Sequence, residues 1–190
     1  MKQNIIATLL FLFITISVSS QIVKSDETFT QVQTFDGKVV FLKEIKLTNP
    51  SIDKNYDALK KWGIANFGKD PANSSINSEN LKKKITAKSR VELILPENSK
   101  GIRESVIMKY RIDSFFSDNM CILEITDISY INDKKANRNS LDQKTSAENI
   151  ITDRAISIAD ENQETRINIR KNTLYFINDL TNSLQNALNN

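Results

Sequence analysis

Apolar and polar residues alternate along much of the chain between residues 38 and 131, and this pattern predicts a sheet. The first alternating segment is a strand over 38–47, whose apolar face is formed by Val39, Phe41, Ile45 and Leu47. A period of two residues is typical of strands that bury one face. A weaker strand is predicted over 75–80, after a polar loop.

Three longer strands follow, separated by clusters of turn residues. Their alternating apolar positions are Ile85, Ala87, Val91, Leu93 and Leu95 in the first, Val106, Met108, Tyr110 and Ile112 in the second, and Cys121, Leu123 and Ile125 in the third, which runs to Ile131. Because the connections are short, successive strands are expected to pair as antiparallel neighbours.

A helix is predicted between the first strand and the others. Asn49 is the expected N-cap, Pro50 suits the first turn, and Gly68 ends the helix. Its apolar residues at helical spacing are Tyr56, Leu59, Trp62 and Phe67. Gly63 lies inside this helix and costs about 1 kcal/mol relative to alanine. A close approach of the helix to the sheet would justify that cost.

A second helix is predicted over 161–188. Asp160, followed three residues later by Gln163, gives a pattern close to the capping box. The apolar stripe of this helix consists of Ile167, Leu174, Ile177, Leu180, Leu184 and Leu188. Such a stripe either docks on the protein's own core or forms the seam of a coiled coil. We expect docking, with self-assembly through this helix as the alternative.

The predicted fold class is α+β. An antiparallel sheet of about five strands forms in the order β-α-β-β-β-β-α, and both helices pack on one face of it. The predicted organisation is a signal peptide at 1–20, a polar N-terminal lead-in at 21–36, an α+β domain at 37–131, a polar linker at 132–160 and an amphipathic C-terminal helix at 161–190.

The first twenty residues have the pattern of a cleavable secretory signal. Lys2 gives the positive start, an apolar run extends over 5–18, and small residues precede a cleavage position expected between Ser20 and Gln21. The apolar run is shorter than the roughly 18 residues that suggest a spanning helix. We therefore expect an exported protein, periplasmic or secreted, without a stable membrane anchor after cleavage.

Composition narrows the chemistry that the chain can perform. Lys and Arg total 26, Asp and Glu total 23, and the formal net charge is +3. Removing the signal, which holds one lysine and no acid, leaves +2, so nucleic acid is not an expected partner. The sequence has no histidine and one cysteine, Cys121, which we expect to be a buried, inert thiol. Catalytic triads based on histidine and intramolecular disulfides are thereby excluded. We expect no catalytic residue, cofactor or metal site.

A basic stretch is the first candidate for contact with a ligand or partner. It includes Lys84, Lys88 and Arg90. These side chains form either a patch for phosphate or a polyanion or the solvated face of a strand pair. Aromatic residues do not interleave with the charges, as binding to single-stranded nucleic acid would favour.

The end of the last strand holds the second candidate. Asp127 lies close to Tyr130, and a carboxylate beside a phenol either binds a polar ligand or a cation or fixes the following turn. Glu124 and Asp127 lie on opposite faces of a regular strand, so they do not make an obvious acid/base pair.

Two segments carry a resemblance to a known family. They are Leu59-Lys60-Lys61-Trp62-Gly63-Ile64-Ala65-Asn66-Phe67 in the first helix and Ile125-Thr126-Asp127-Ile128-Ser129-Tyr130 in the last strand. With the signal peptide and the trailing helix, the segment 39–131 resembles a family of exported bacterial proteins of unknown function with a TBP-like fold. The resemblance implies that fold and brings no catalytic residues with it.

The expected function is that of a non-enzymatic binding or envelope-interaction module with an envelope protein as partner. The alternative is a periplasmic hydrolase or small-ligand-binding protein that uses the region of Asp127 and Tyr130. That alternative predicts a concave pocket that contains these two residues and nearby lysines.

Overall fold

A computed structural model describes residues 23–24, 26–132 and 144–190. The predicted signal peptide at 1–20 and its cleavage position at Ser20 and Gln21 lie outside the described residues. The strands are β1 (Thr34–Phe35), β2 (Lys38–Val39), β3 (Phe41–Lys46), β4 (Ser74–Glu79), β5 (Lys84–Ile94), β6 (Ser105–Ser117), β7 (Met120–Asn132) and β8 (Thr145–Ser146). The helices are α1 (Ile52–Phe67), the 3₁₀ turn η1 (Ala147–Asn149), α2 (Asp153–Ile156) and α3 (Gln163–Asn189).

The predicted α+β fold is confirmed. One antiparallel sheet has the strand order β3-β7-β6-β5-β4, and β8 pairs with the far end of β7. The alternating apolar residues point to a single face, which α1 and α3 cover. Gly63 allows the close approach of α1: a Cβ at this position would lie 2.7 Å from Ile76 Cδ1.

The start of α1 differs from the prediction. Ser51 is the N-cap, and its hydroxyl accepts a hydrogen bond from the Lys54 N–H, so Pro50 precedes the helix instead of lying in its first turn. Asn49 braces the approach to the helix: its Oδ1 accepts from the Ser51 N–H at 2.9 Å, and its carbonyl oxygen accepts from the Asn55 side chain at 2.8 Å.

Helix α3 docks on the sheet, as expected, but through a stripe that differs from the predicted one. Ile167 is 46% exposed, whereas Arg166 and Thr173 are buried. The buried positions are Arg166, Ile169, Thr173, Ile177, Leu180, Thr181, Leu184 and Leu188. Apart from the adjacent pair Leu180 and Thr181, they follow at intervals of three or four residues, as on one face of a helix. The predicted capping box is absent: Asn162 is the N-cap, and Asp160 instead accepts from the Asn162 N–H and pairs with Arg166.

The polar segments on either side of the domain contain ordered structure. In the lead-in, Val23 forms a parallel bridge with Lys43, and Phe29 is buried against Phe41, 5.2 Å between ring centroids. Asn178 of α3 fixes Phe29 by accepting from its N–H and donating to its carbonyl oxygen. The described part of the predicted polar linker at 132–160 includes β8, η1 and α2.

Candidate functional site

The sheet face opposite the helices, called the open face here, is polar at its centre. Antiparallel register places its side chains in rows that run across the strands. One row is Ser75, Lys88, Arg111 and Thr126; the next is Arg90, Lys109, Ser129 and Ser146. Neighbouring strands are about 4.8 Å apart, so each row brings charges from strands distant in sequence within reach of a single ligand.

A groove of about 1150 Å³ crosses the open face above these rows. One wall is the loop of Pro71, Ala72 and Asn73 between α1 and β4. The other is the β1–β2 hairpin with Phe35, Asp36 and Lys38. The hairpin turns on Asp36 and Gly37, both at positive φ, which is the conformation that an Asp-Gly two-residue turn favours.

Four cations lie at the centre of the groove floor: Lys88, Arg90, Lys109 and Arg111. Lys88 is directly opposite Arg111, and Arg90 is directly opposite Lys109. Like charges opposite each other on a sheet are destabilising. Arg111 is compensated by Asp113, and Arg90 Nε donates to Asn73 Oδ1. Among the described residues, neither Lys88 nor Lys109 forms a salt bridge.

Asp113 organises the end of the groove next to these cations. It accepts hydrogen bonds from Thr86 at 2.7 Å and from Arg111 at 2.7 Å, and Lys84 lies 2.8 Å away. Burial of this carboxylate raises its pKa, but the hydrogen bonds from Arg111, Lys84 and Thr86 outweigh burial and hold the pKa at about 2. Lys84, a residue of the predicted basic stretch, therefore forms an ion pair with Asp113.

A bulge in β7 brings Asp127 into the groove. Residues 127 and 128 together face Tyr110, because the register shifts between Lys109 and Arg111, and Asp127 has φ +53°. Asp127 and Glu124 consequently line the same groove, although a regular strand would place them on opposite faces. Both acids lie near Arg111 and raise the pKa of its guanidinium, after the larger effect of Asp113.

The strained backbone at the bulge leads to a prediction. Asp127→Val should lower the free energy of unfolding by about 1–2 kcal/mol, because a β-branched residue tolerates left-handed backbone poorly. Asp127→Gly should not destabilise the fold. Thr126→Val, one residue earlier in regular strand, is the matched control and should be nearly neutral. Urea denaturation measures all three, and equal losses for the two valine variants would contradict a strained position 127.

Ser129 is a polar residue of the groove that is only 3% exposed. Its hydroxyl has no hydrogen-bond partner among the described residues. Leaving a buried hydroxyl unsatisfied costs about 1–3 kcal/mol. The hydroxyl lies in the same row as Lys109, so the groove offers an uncommitted donor beside its cations.

Tyr130 does not join Asp127. The bulge turns Ile128 and Tyr130 toward the helices, where Tyr130 is 3% exposed and its hydroxyl lies 2.8 Å from the Thr173 hydroxyl. Burial raises the pKa of this phenol. The pocket predicted to contain both Asp127 and Tyr130 therefore does not form, whereas Asp127, Lys88 and Arg90 do share the groove.

Cys121 is buried in β7, as predicted, and burial raises the pKa of its thiol to about 12. The described residues contain no group of three or more potential metal-ligating side chains. In the same part of the chain, no helix has both the length and the apolar character needed to cross a bilayer.

Several groove residues were not predicted from the sequence, although two features of the sequence point to them. Apolar positions in the last strand change phase after Ile125, from odd numbers to Ile128 and Tyr130, and this change marks the bulge. Asp36-Gly37 marks the hairpin wall. Lys109 and Arg111 alternate with the buried residues of β6 and join Lys88 and Arg90 only through strand pairing.

The fold defines the class of this protein: an α+β domain in which two helices pack on one face of an antiparallel sheet. Residues 41–131 match the family described as a domain of unknown function (DUF4468) with TBP-like fold. The resemblance seen in the sequence is thus confirmed. None of the curated proteins matches the chain.

Two solved structures support the same fold. A TBP-like protein from Parabacteroides distasonis has a TM-score of 0.70 and 24% identity, over 83% of this chain and 96% of that chain. A DUF4468 family protein from Bacteroides ovatus has a TM-score of 0.65 and 19% identity, over 83% of this chain and 90% of that chain. At these identities the likeness establishes the fold alone.

Proposed function

We propose that this protein is a non-enzymatic binding module of the cell envelope that holds its ligand or partner in the groove of the open face. The observation that carries the proposal is the groove itself: one sheet face is filled by α1 and α3, while the other is concave and lined by charged side chains. A volume of about 1150 Å³ exceeds the roughly 300–1,000 Å³ of typical small-molecule pockets. It favours an extended ligand.

The placement of the reactive groups supports binding over catalysis. The Cys121 thiol and the Tyr130 phenol are buried on the helix side, and burial raises the pKa of both. In the groove, Asp113 is held ionised by Arg111, Lys84 and Thr86 and serves as a structural acceptor. The rest of the groove supplies cations, hydroxyls and the carboxylates of Glu124 and Asp127, which are groups that position a ligand. The signal-peptide pattern at residues 1–20 supports the envelope as the place of action.

Site-specific photo-crosslinking in intact producing cells tests this function. A photoreactive residue at Ser75, an exposed position that lines the groove, should give a covalent adduct in the envelope fraction. The same residue at Tyr175, which is 76% exposed on α3, is the control and should give none. The N-terminus of the adduct should be Gln21.

Adducts at both positions, or at neither, would overturn binding through the groove. An intact Met1 terminus would overturn export.

A further inference from the structure

We infer that the groove binds a dianionic phosphate group, held by Lys88, Arg90 and Lys109. This inference deepens the proposed function, because it assigns the chemistry of the ligand to one part of the same groove. We name these three residues the basic triad.

The charges around the triad are arranged unevenly. Asp113, Glu124 and Asp127 all act on Arg111, whose guanidinium binds Asp113 through two nitrogens, at 2.7 and 3.3 Å. The triad is not paired in this way: among the described residues, Lys88 and Lys109 form no salt bridge, and Arg90 donates to the neutral side chain of Asn73. Arg111 is thus neutralised by Asp113, while the three cations of the triad have no ion-pair partner among the described residues.

The spacing of the triad suits one compact anion. Arg90 and Lys109 are direct cross-strand partners, with Cβ atoms about 5 Å apart in such pairs. Lys88 is two residues from Arg90 on the same face of β5, about 7 Å along the strand. Three cations at these separations can converge on one tetrahedral phosphate, and charge-assisted hydrogen bonds to such groups are the strong ones.

The surroundings of the triad supply a further donor and show which unfavourable features a bound anion would relieve. Ser129, opposite Lys109, has a buried hydroxyl that lacks a hydrogen-bond partner among the described residues and lines the groove. Placing Lys109 opposite Arg90 costs stability in the free protein. An anion that bridges the two cations removes this repulsion and accepts a hydrogen bond from Ser129, so both unfavourable features are relieved by one ligand.

Phosphate titration of the full mature chain tests the inference. Inorganic phosphate is added at constant ionic strength, and backbone amide shifts are followed by NMR. We expect saturable shifts at Lys88, Arg90, Lys109 and Ser129. The double variant Lys88→Ala/Lys109→Ala should bind phosphate about a hundredfold or more weakly, because it loses two charge-assisted hydrogen bonds.

The control variant is Lys61→Ala/Lys171→Ala, which removes the same charge from exposed positions on α1 and α3. It should bind phosphate like the original protein. Shifts that do not saturate, or equal weakening in both double variants, would overturn the basic triad as a specific site.

Vesicles distinguish the source of the phosphate. Co-sedimentation with vesicles that contain phosphatidic acid, but not with phosphatidylcholine alone, would indicate a lipid headgroup, provided that the Lys88→Ala/Lys109→Ala variant loses it. Binding of free phosphate without co-sedimentation would indicate a soluble phosphate ester. A groove that gives the Ser75 adduct but no phosphate shifts would refute the triad and leave the proposed function standing. Saturable phosphate shifts without an adduct at Ser75 would support the basic triad and would contradict the proposed function in the envelope.

Discussion

Replacing Ile177 with alanine is expected to lower the free energy of unfolding by about 3–4 kcal/mol, as for other large-to-small changes in a packed core. Ile177 is fully buried in α3 against the sheet. The cavity left by the missing atoms adds to the lost hydrophobic transfer energy, because the neighbouring side chains relax only partly. Thermal or urea denaturation measures the loss of stability, and the m-value in urea should stay unchanged.

Ile167 provides the matched control, because it has the same side chain in the same helix but is 46% exposed. Ile167→Ala should cost less than about 1 kcal/mol. A similar loss for the two variants would contradict the docked face of α3. If α3 were instead a seam between chains, the effect of Ile177→Ala would depend on protein concentration.

The second large effect is expected at Asp113. Its pKa falls from an ordinary value of 3.8 to about 2 in the folded protein. A lowered pKa means that the ionised carboxylate stabilises the fold, by about 1–2 kcal/mol after screening by solvent at its partly exposed cationic partners. This contribution is present in full above the ordinary value and is lost as the pH falls through 2. Asp113→Asn should therefore lose about 1–2 kcal/mol at pH 7, and the difference from the original protein should disappear as the pH falls through 2.

Glu124→Gln is the control for Asp113→Asn. Glu124 is the direct cross-strand partner of Asp113 but makes no hydrogen bond or salt bridge with the described residues. Its neutralisation should change stability by less than about 0.5 kcal/mol. A loss equal to that of Asp113→Asn would show that general charge balance on the open face, and not the hydrogen bonds to Asp113, produces the effect.

The sequence was sufficient to predict the sheet and the two main helices, because each rests on a local period. Alternation located β3 and β5 to β7, and the spacing of Tyr56, Leu59 and Trp62 located α1. The buried face of α3 was harder to predict. Thr173 and Arg166 look like surface residues until Tyr130 and Asp160 supply their partners. Tyr130 lies on another element, and Asp160 precedes the helix, so the period of the helix reveals neither partner.

The candidate site was predictable only in part, for the same reason. Lys88 and Arg90 were recognised as a basic stretch, but Lys109 becomes their neighbour through strand register. Asp127 was selected together with Tyr130 because they are close in sequence, although residues three apart on a regular strand point to opposite faces. The extra residue at the bulge decides which face each one takes: Asp127 lines the groove, and Tyr130 faces the helices. A single irregularity in backbone spacing thus changes which residues can share a ligand.

The bridge between Val23 and Lys43 has a consequence for strand addition at the sheet's outer edge. Val23 donates to the Leu42 carbonyl and accepts from the Glu44 N–H, while the Gln33 side chain accepts from the Leu42 N–H. Three outward backbone groups of β3, the Leu42 N–H and carbonyl and the Glu44 N–H, are thereby used within the chain. Exposed edges of this kind otherwise recruit further strands. A second chain could extend the sheet here only by first peeling away the segment that holds Val23.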